Sequence, residues 1–107
     1  MKLLTKEIEK NIPPLYSQDG KDPKDVKITV KFFCPWNNWT WYVTEGEYDP
    51  NQDTWMFFGL VRGFETELGY FSLAELQEVT HPQTGLKIER DMNFGKHSLA
   101  EAQEKQI

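Results

Sequence analysis

The sequence predicts an α+β fold, a small antiparallel β-meander of four or five strands with short flanking helices. Several segments alternate apolar and polar residues, which is the pattern of half-buried strands. The connections between them are short turns, whereas parallel strands need crossovers of a dozen or more residues. Two segments that read Ser-Leu-Ala-Glu are typical of helix starts. With 107 residues, the chain is expected to form a single domain over residues 1–107.

Five segments have the pattern of strands. Residues 26–32 alternate strictly, with Val, Ile, Val and Phe on the predicted core face. Residues 39–45 alternate again, with Trp39, Trp41 and Val43 on one face and Tyr42 on the other. Residues 54–61 are apolar on both faces, which places them inside the sheet. In chain order, the predicted strands are 26–32, 39–45, 54–61, 67–71 and 86–92.

Three short helices are predicted to flank the sheet. Thr5 is expected to cap a helix that runs to Lys10, and the prolines that follow it end or redirect the chain. Ser72 and Ser98 each begin a Ser-Leu-Ala-Glu capping box. The last helix has Ala102 where the previous one has a leucine. We therefore expect a polar C-terminal helix or tail, from about residue 98, that buries little and frays.

The charge and the cysteine content of the chain indicate its cellular compartment and its class of partner. The formal net charge is −5, so the overall field of the protein does not attract nucleic acid. The single cysteine, Cys34, permits no intrachain disulfide, and no signal-peptide pattern or membrane-spanning run is present. We expect a cytoplasmic protein that does not enter a membrane. The candidates for a local basic patch, which we interpret as solvated, are Lys21, Lys24, Lys27 and Lys31.

No motif of catalysis or cofactor binding is present, and we predict no enzyme activity, cofactor or metal. Residues 49–53 have the Asp-x-Asn-x-Asp spacing that opens a calcium loop. The sixth position is Thr54 rather than glycine and the twelfth is Leu60 rather than glutamate, so we interpret the segment as a hairpin turn. The remaining candidate ligands of a soft metal lie far apart in sequence: Cys34, His81 and His97.

A pair of carboxylates gives one enzymatic alternative. Glu89 and Asp91 share a face of the last predicted strand, with Arg90 on the other face. Paired carboxylates can hold a metal ion or transfer protons. A carboxylate-dependent metal enzyme or nuclease is therefore one hypothesis, but the interpretation we favour is a charged strand that resists aggregation.

Aromatic residues are concentrated in residues 32–71, which hold thirteen of the fifteen in the chain. Strand alternation assigns three of them mainly to the core: Trp41, Trp55 and Phe57. Trp36 and Trp39 lie beside a turn and are the best candidates for exposure. With Tyr42 they could stack on the bases of single-stranded nucleic acid, but acidic residues follow them, and tryptophan often anchors a protein partner. The predicted binding residues are Trp36, Asn37, Trp39, Tyr42, Glu45, Glu47 and Arg62.

Several strings of the sequence resemble a small prokaryotic family catalogued as domain of unknown function 2958. The most specific are residues 35–42, Pro-Trp-Asn-Asn-Trp-Thr-Trp-Tyr, and residues 67–73, Glu-Leu-Gly-Tyr-Phe-Ser-Leu. Further matching strings lie at residues 1–8, 12–16, 30–33, 57–59 and 88–91. The resemblance covers nearly the whole chain, from about Met1 to Phe94. It implies a protein often carried on plasmids, conjugative elements and phages, and it implies no established activity or catalytic residue.

These observations lead to three hypotheses. The first is a non-enzymatic protein-binding accessory or anti-defence (inhibitor) factor of a mobile genetic element, which contacts a host or element protein through an acidic, aromatic surface. The alternative is a single-stranded nucleic-acid-binding module that uses Trp36, Trp39 and Tyr42. The second alternative is the carboxylate-dependent metal enzyme or nuclease that uses Glu89 and Asp91.

Overall fold

The computed structural model describes all residues from 1 to 107. It has five strands, three α-helices and a short 3₁₀ turn at Pro23–Asp25. None of the helices is long and apolar enough to cross a membrane. The strands are β1 (Val30–Phe33), β2 (Thr40–Asp49), β3 (Thr54–Arg62), β4 (Thr66–Ser72) and β5 (Glu89–Arg90). The α-helices are α1 (Lys6–Asn11), α2 (Leu73–Glu78) and α3 (Leu99–Glu104).

The strands form one antiparallel sheet in the order β4-β3-β2-β1-β5. Strands β1 to β4 are a meander, and β5 returns along the far side of β1. The predicted α+β fold is therefore confirmed. The first and last predicted strands are shorter than expected because parts of them form hydrogen bonds with segments outside the sheet. Ile28 donates its backbone N–H to the carbonyl of His97, and Lys87 forms an isolated bridge with Thr80.

Both faces of the sheet are covered. One face carries the larger hydrophobic cluster, which includes Phe32, Trp41 and Phe57 and is covered by the N-terminal segment and α2. Trp55 is partly buried against this cluster, and Cys34 is buried within it. The other face carries a smaller cluster that joins the sheet to α3 and the segment before β1: Val26, Ile28, Tyr42, Leu60, Leu99 and Ala102.

Helix α3 is docked against the sheet through Leu99 and Ala102, so the expectation that it buries little is wrong. Ala102 is completely buried, and its small side chain lets the helix approach the sheet closely. The Ser98 hydroxyl accepts from the backbone N–H of Glu101, and the Glu101 carboxylate accepts from the backbone N–H of Ser98, which completes a capping box. At the other end, the Arg62 guanidinium donates to the carbonyls of Ala102 and Lys105.

A buried carboxylate fixes the chain that precedes the sheet. The register of β2 against β3 shifts between Val43 and Glu45, which is a β-bulge. Glu45 is only 3% exposed. Its two oxygens accept from the backbone N–H of Tyr16 at 2.7 Å and of Gln18 at 3.0 Å. These bonds hold Tyr16 in a left-handed conformation, with φ of 71°.

We expect Glu45→Ala to lower the free energy of unfolding by about 2 kcal/mol, because two backbone N–H groups lose their bonds to a buried, charged acceptor. Glu47→Ala is the matched control. Glu47 is exposed and accepts one bond, from the backbone N–H of Leu15, so its loss is expected to be within about 0.5 kcal/mol. Urea unfolding measures both, and equal small effects would contradict this role of Glu45.

The pKa of the Glu101 carboxyl is lowered, first because the backbone N–H of Ser98 donates to it and second because of the His97 side chain. The unfolded chain has the higher, ordinary pKa. The ionised carboxylate therefore stabilises the helix start above that ordinary pKa, and this stabilisation is lost as the pH falls through the lowered pKa. An NMR titration of the Glu101 side chain should show the low midpoint, and His97→Ala should raise it part of the way. An ordinary midpoint in the native protein would contradict the capping box.

Candidate functional site

The seven predicted binding residues do not form one site. Three lie in or beside the turn between β1 and β2: Trp36, Asn37 and Trp39. Two lie on the face covered by α3: Tyr42 and Arg62. The last two accept bonds from residues 15–18: Glu45 and Glu47. The side chains of the first group, and that of Glu47, lie at the surface.

Tyr42 is completely buried, so the prediction of an exposed base-stacking tyrosine is wrong. Its hydroxyl donates to the carbonyl of Ile107 at 2.8 Å, and its ring lies 6.0 Å from that of Phe94. The prediction failed because it treated this side of β2 as solvent-exposed. The helix that covers it has too few apolar residues for its docking to be recognised from sequence.

Arg62 and Glu45 have structural partners that occupy their charged groups. The Arg62 guanidinium supports the carbonyl end of α3, where a cation is stabilised by the helix dipole, and its Nε is buried without a partner. Glu45 is buried against residues 16–18. The Glu45 charge is therefore enclosed by the protein, whereas the half-buried Arg62 guanidinium is engaged by the end of α3. Glu47, by contrast, is exposed, and one oxygen accepts from the backbone N–H of Leu15.

The turn between β1 and β2 points its two tryptophans in different directions. Asn37 is exposed, and its side-chain oxygen accepts from the backbone N–H of Trp39 at 2.9 Å, which fixes the turn. Trp36 is half-buried with its ring edge-on to His81, at 5.2 Å between centroids. Trp39 is also half-buried, but it contacts Trp41 and Phe64 instead.

Gly63 makes the position of Trp39 possible. A Cβ atom added at residue 63 would overlap the far edge of the Trp39 indole, so the ring lies directly against the glycine backbone. The indole packs at 5.8 Å from the ring of Trp41 and edge-on at 5.3 Å from the ring of Phe64. Trp39 therefore spans the gap between the buried core and an exposed aromatic side chain.

Phe64 is the most exposed large hydrophobic residue of the chain, at 96% of its surface. Sequence reasoning did not select it, because a single phenylalanine in a turn belongs to no strand or helix pattern. The available signal was its sequence setting: an apolar side chain between Gly63 and Glu65, in a turn where polar residues are usual. Such an exposed side chain contributes little to the burial of apolar surface on folding, so it is free to contact another molecule.

A groove of about 420 Å³ lies between the sheet and α2, and we call it the Trp39 groove. Apolar and aromatic side chains line most of it, and two exposed carboxylates on α2 stand at its side. Further carboxylates lie nearby in sequence, Glu65 in the turn next to Phe64 and Glu67 on β4, and both are exposed. The lining residues are Trp39, Trp41, Phe71, Glu75, Leu76, Glu78 and Val79.

The chemistry of the Trp39 groove suits a positively charged ligand with an apolar part. Indole rings offer large contact area and attract cations through their π-systems. Every charged residue in the lining, Glu75 and Glu78, is acidic. Such a surface repels the phosphate backbone of nucleic acid and attracts lysine and arginine side chains.

Two carboxylates that the sequence analysis considered as metal ligands, Asp91 and Asp49, make contacts within the protein. Asp91 lies 3.4 Å from the Lys31 ammonium, and the Arg90 guanidinium donates to the carbonyl of Lys2 at 2.7 Å. Residues 50–53 form the hairpin turn between β2 and β3, and Asp49 at the end of β2 accepts from the backbone N–H of Asn51. Across residues 1–107, no three His, Cys, Asp or Glu side chains are grouped closely enough to hold a metal ion.

The candidate basic patch is dispersed in the structure. Lys21, Lys24 and Lys27 are exposed. Lys31 is drawn inward instead, where its ammonium donates to the carbonyl of Ile107 at 2.8 Å and pairs with Asp91. Lys24 and Lys27 lie near Lys96, but Asp25 and Glu101 line the same depression and offset their charge.

We expect Gly63→Ala to displace the Trp39 indole, because the new methyl group takes the space of the ring edge. The Trp39 indole N–H resonance should shift, and tryptophan fluorescence should become more accessible to acrylamide. Gly69→Ala is the matched control, since a Cβ at residue 69 meets nothing within 4 Å. An unchanged Trp39 resonance in Gly63→Ala would contradict the packing described here.

Comparison with known proteins gives a family and no function. A search of the curated proteins and a search of the solved structures returned no match. The family model described as "Protein of unknown function (DUF2958)" matches residues 3–104, from the segment before α1 to the end of α3. Because that match covers nearly the whole chain, it confirms the resemblance seen in the sequence. The protein belongs to the DUF2958 family.

Proposed function

We propose that this protein is a non-enzymatic binding protein, and that its Trp39 groove takes a basic segment of another protein. The observation that carries the proposal is the aromatic lining at Trp39, whose ring also contacts the exposed Phe64, together with the exposed carboxylates of Glu75 and Glu78 in the same groove. The aromatic rings provide apolar contact area, and the carboxylates select for positive charge.

Phe64 is the residue expected to contribute most to binding. It is almost fully exposed in the free protein, and its ring lies edge-on to that of Trp39 at 5.3 Å. A partner that covers it removes apolar surface from water at a low cost in side-chain entropy. Interface residues of this kind each contribute about 2 kcal/mol or more when they sit at the centre of a contact.

A protein partner is favoured over nucleic acid by the distribution of charge. Single-strand binders place basic residues along an aromatic platform, whereas the charged residues of the Trp39 groove are acidic. The proposed platform also lacks Tyr42, which is buried. The exposed lysines, Lys21, Lys24 and Lys27, lie outside the lining of the groove.

The partner we propose is a host protein or a protein of the same mobile genetic element, met in the cytoplasm. The sharper form of the proposal is an accessory or anti-defence factor that inhibits a host defence protein. Two observations support it: the family resemblance, which implies carriage on plasmids, conjugative elements and phages, and the net charge of −5, which suits contact with proteins that have basic surfaces.

Selection from a random-peptide display library tests the proposal. We expect the native protein to enrich peptides that combine lysine or arginine with an aromatic or large apolar residue. Phe64→Ala should weaken the selected peptides about tenfold or more at unchanged protein stability. Glu75→Gln together with Glu78→Gln should weaken them about tenfold, because two exposed charge pairs are lost. The matched control is Met92→Ala, which removes another exposed apolar side chain at the opposite edge of the sheet.

Two outcomes would contradict the proposal. One is a selection that enriches no basic consensus, or one whose peptides bind Phe64→Ala as well as the native protein. The other is quenching of tryptophan fluorescence by a single-stranded oligonucleotide at low salt that Phe64→Ala abolishes, since this would assign the same surface to nucleic acid.

A further inference from the structure

The two edges of the sheet differ in how they are protected. The β5 edge has only two residues, and the N-terminal segment lies beside it, with Arg90 donating to the carbonyls of Lys2 and Leu3. The β4 edge has seven residues and pairs with β3 alone. From Thr66 to Phe71, no main-chain N–H or C=O has a hydrogen-bond partner outside the sheet. Alternate residues of β4 therefore present unpaired donors and acceptors to solvent.

Strand β4 also has none of the irregularities that usually stop an edge strand from pairing. Its register against β3 is unbroken from Thr66 to Ser72, and its sequence contains no proline. The remaining protection is charge, from Glu67 on the strand and Glu65 in the turn before it. Acidic residues discourage pairing with an acidic strand and favour pairing with a basic one.

The face of β4 beside the Trp39 groove has room for another chain. On this face the register places Gly69 next to Gly59, between Glu67 and the buried Phe71. Position 69 has open space above it, because an added Cβ would meet nothing within 4 Å. The opposite face of β4 presents Leu68 and Tyr70, which are 44% and 55% exposed. A strand added beside β4 could bury side chains on both faces.

We infer that β4 accepts an extended, lysine- or arginine-bearing segment of the partner protein as a sixth strand of the sheet. This inference rests on the proposed function, and it specifies how the partner is held. Main-chain hydrogen bonds along β4 supply affinity, and alternate side chains supply specificity. Basic side chains of the segment pair with Glu67 and Glu65, while its neighbouring residues contact Leu68 and Tyr70.

The charge of the protein disfavours a second copy of this chain as the occupant. The formal charge of the protein is −5, and two copies joined through β4 would bring two sets of Glu65 and Glu67 to one interface. Like charges close together across a strand pair are destabilising. The protein is therefore expected to remain a monomer at micromolar concentration in sedimentation, and dimerisation that protects the β4 amides would overturn the inference.

A peptide of alternating lysine and valine, long enough to span β4, is the probe for this mode of binding. We expect it to bind and to slow hydrogen exchange at those β4 amides that do not bond to β3. The same peptide with N-methyl groups at alternate residues on one edge should bind at least about tenfold more weakly, because it cannot donate along β4. A glutamate–valine peptide is the charge control and should not bind.

The outcomes separate this inference from the proposed function. Equal binding of the methylated and unmethylated peptides would overturn strand addition, as would protection confined to α2 and the Trp39 groove. The groove would still stand if display peptides remained sensitive to Phe64→Ala. Failure of the lysine–valine peptide to bind at all would overturn the inference, and failure of the display selection as well would overturn both.

Discussion

Strand β2 is buried on both faces from Thr40 to Gly46. The N-terminal segment and the helices outside the sheet pack where they bury its apolar side chains. One face presents Trp41 and Val43 to the N-terminal segment and α2, and the other presents Tyr42 to α3. A protein of this size has only a small core, so burying one strand on both faces provides a large share of the apolar contact. Strand β2 also holds the chain before the sheet, because the buried Glu45 carboxylate accepts hydrogen bonds from the backbone N–H groups of residues 16 and 18.

The same arrangement leaves the β4 side of the sheet thinly covered. Helix α2 covers Phe71 at the end of β4, but the strand is exposed from Thr66 to Leu68. The turn before it carries Phe64, which is packed against Trp39 and open to solvent. An aromatic contact, several carboxylates and an unpaired strand edge thus occur together. Each has a structural explanation by itself, but their presence on one side of the molecule favours an interaction surface.

Much of the fold could be predicted from local patterns. Alternation located β2, and Ser72 and Ser98 marked the two helix starts, because these signals depend only on neighbouring residues. The missed features depend on contacts distant in sequence. Glu45 resembles a solvent-facing strand residue until residues 16–18 are seen to bond to it, and Tyr42 was misjudged because the docking of α3 depends on the small side chain of Ala102. In the candidate site, Trp39 could be selected from the sequence because it stands at the start of an alternating strand pattern. Phe64, whose ring contacts Trp39, lies in a turn, where no alternation of apolar and polar residues marks it.

We propose that the Phe64 end of the molecule contacts a partner protein. This contact can be tested with a photo-crosslinking amino acid placed at residue 64 in the native host, with residue 92 at the opposite edge of the sheet as the matched exposed position. We expect one defined crosslinked protein from residue 64, lost when Glu75 and Glu78 are changed to glutamine, and none from residue 92. Equal crosslinking from both positions, or crosslinks from residue 92 alone, would contradict it.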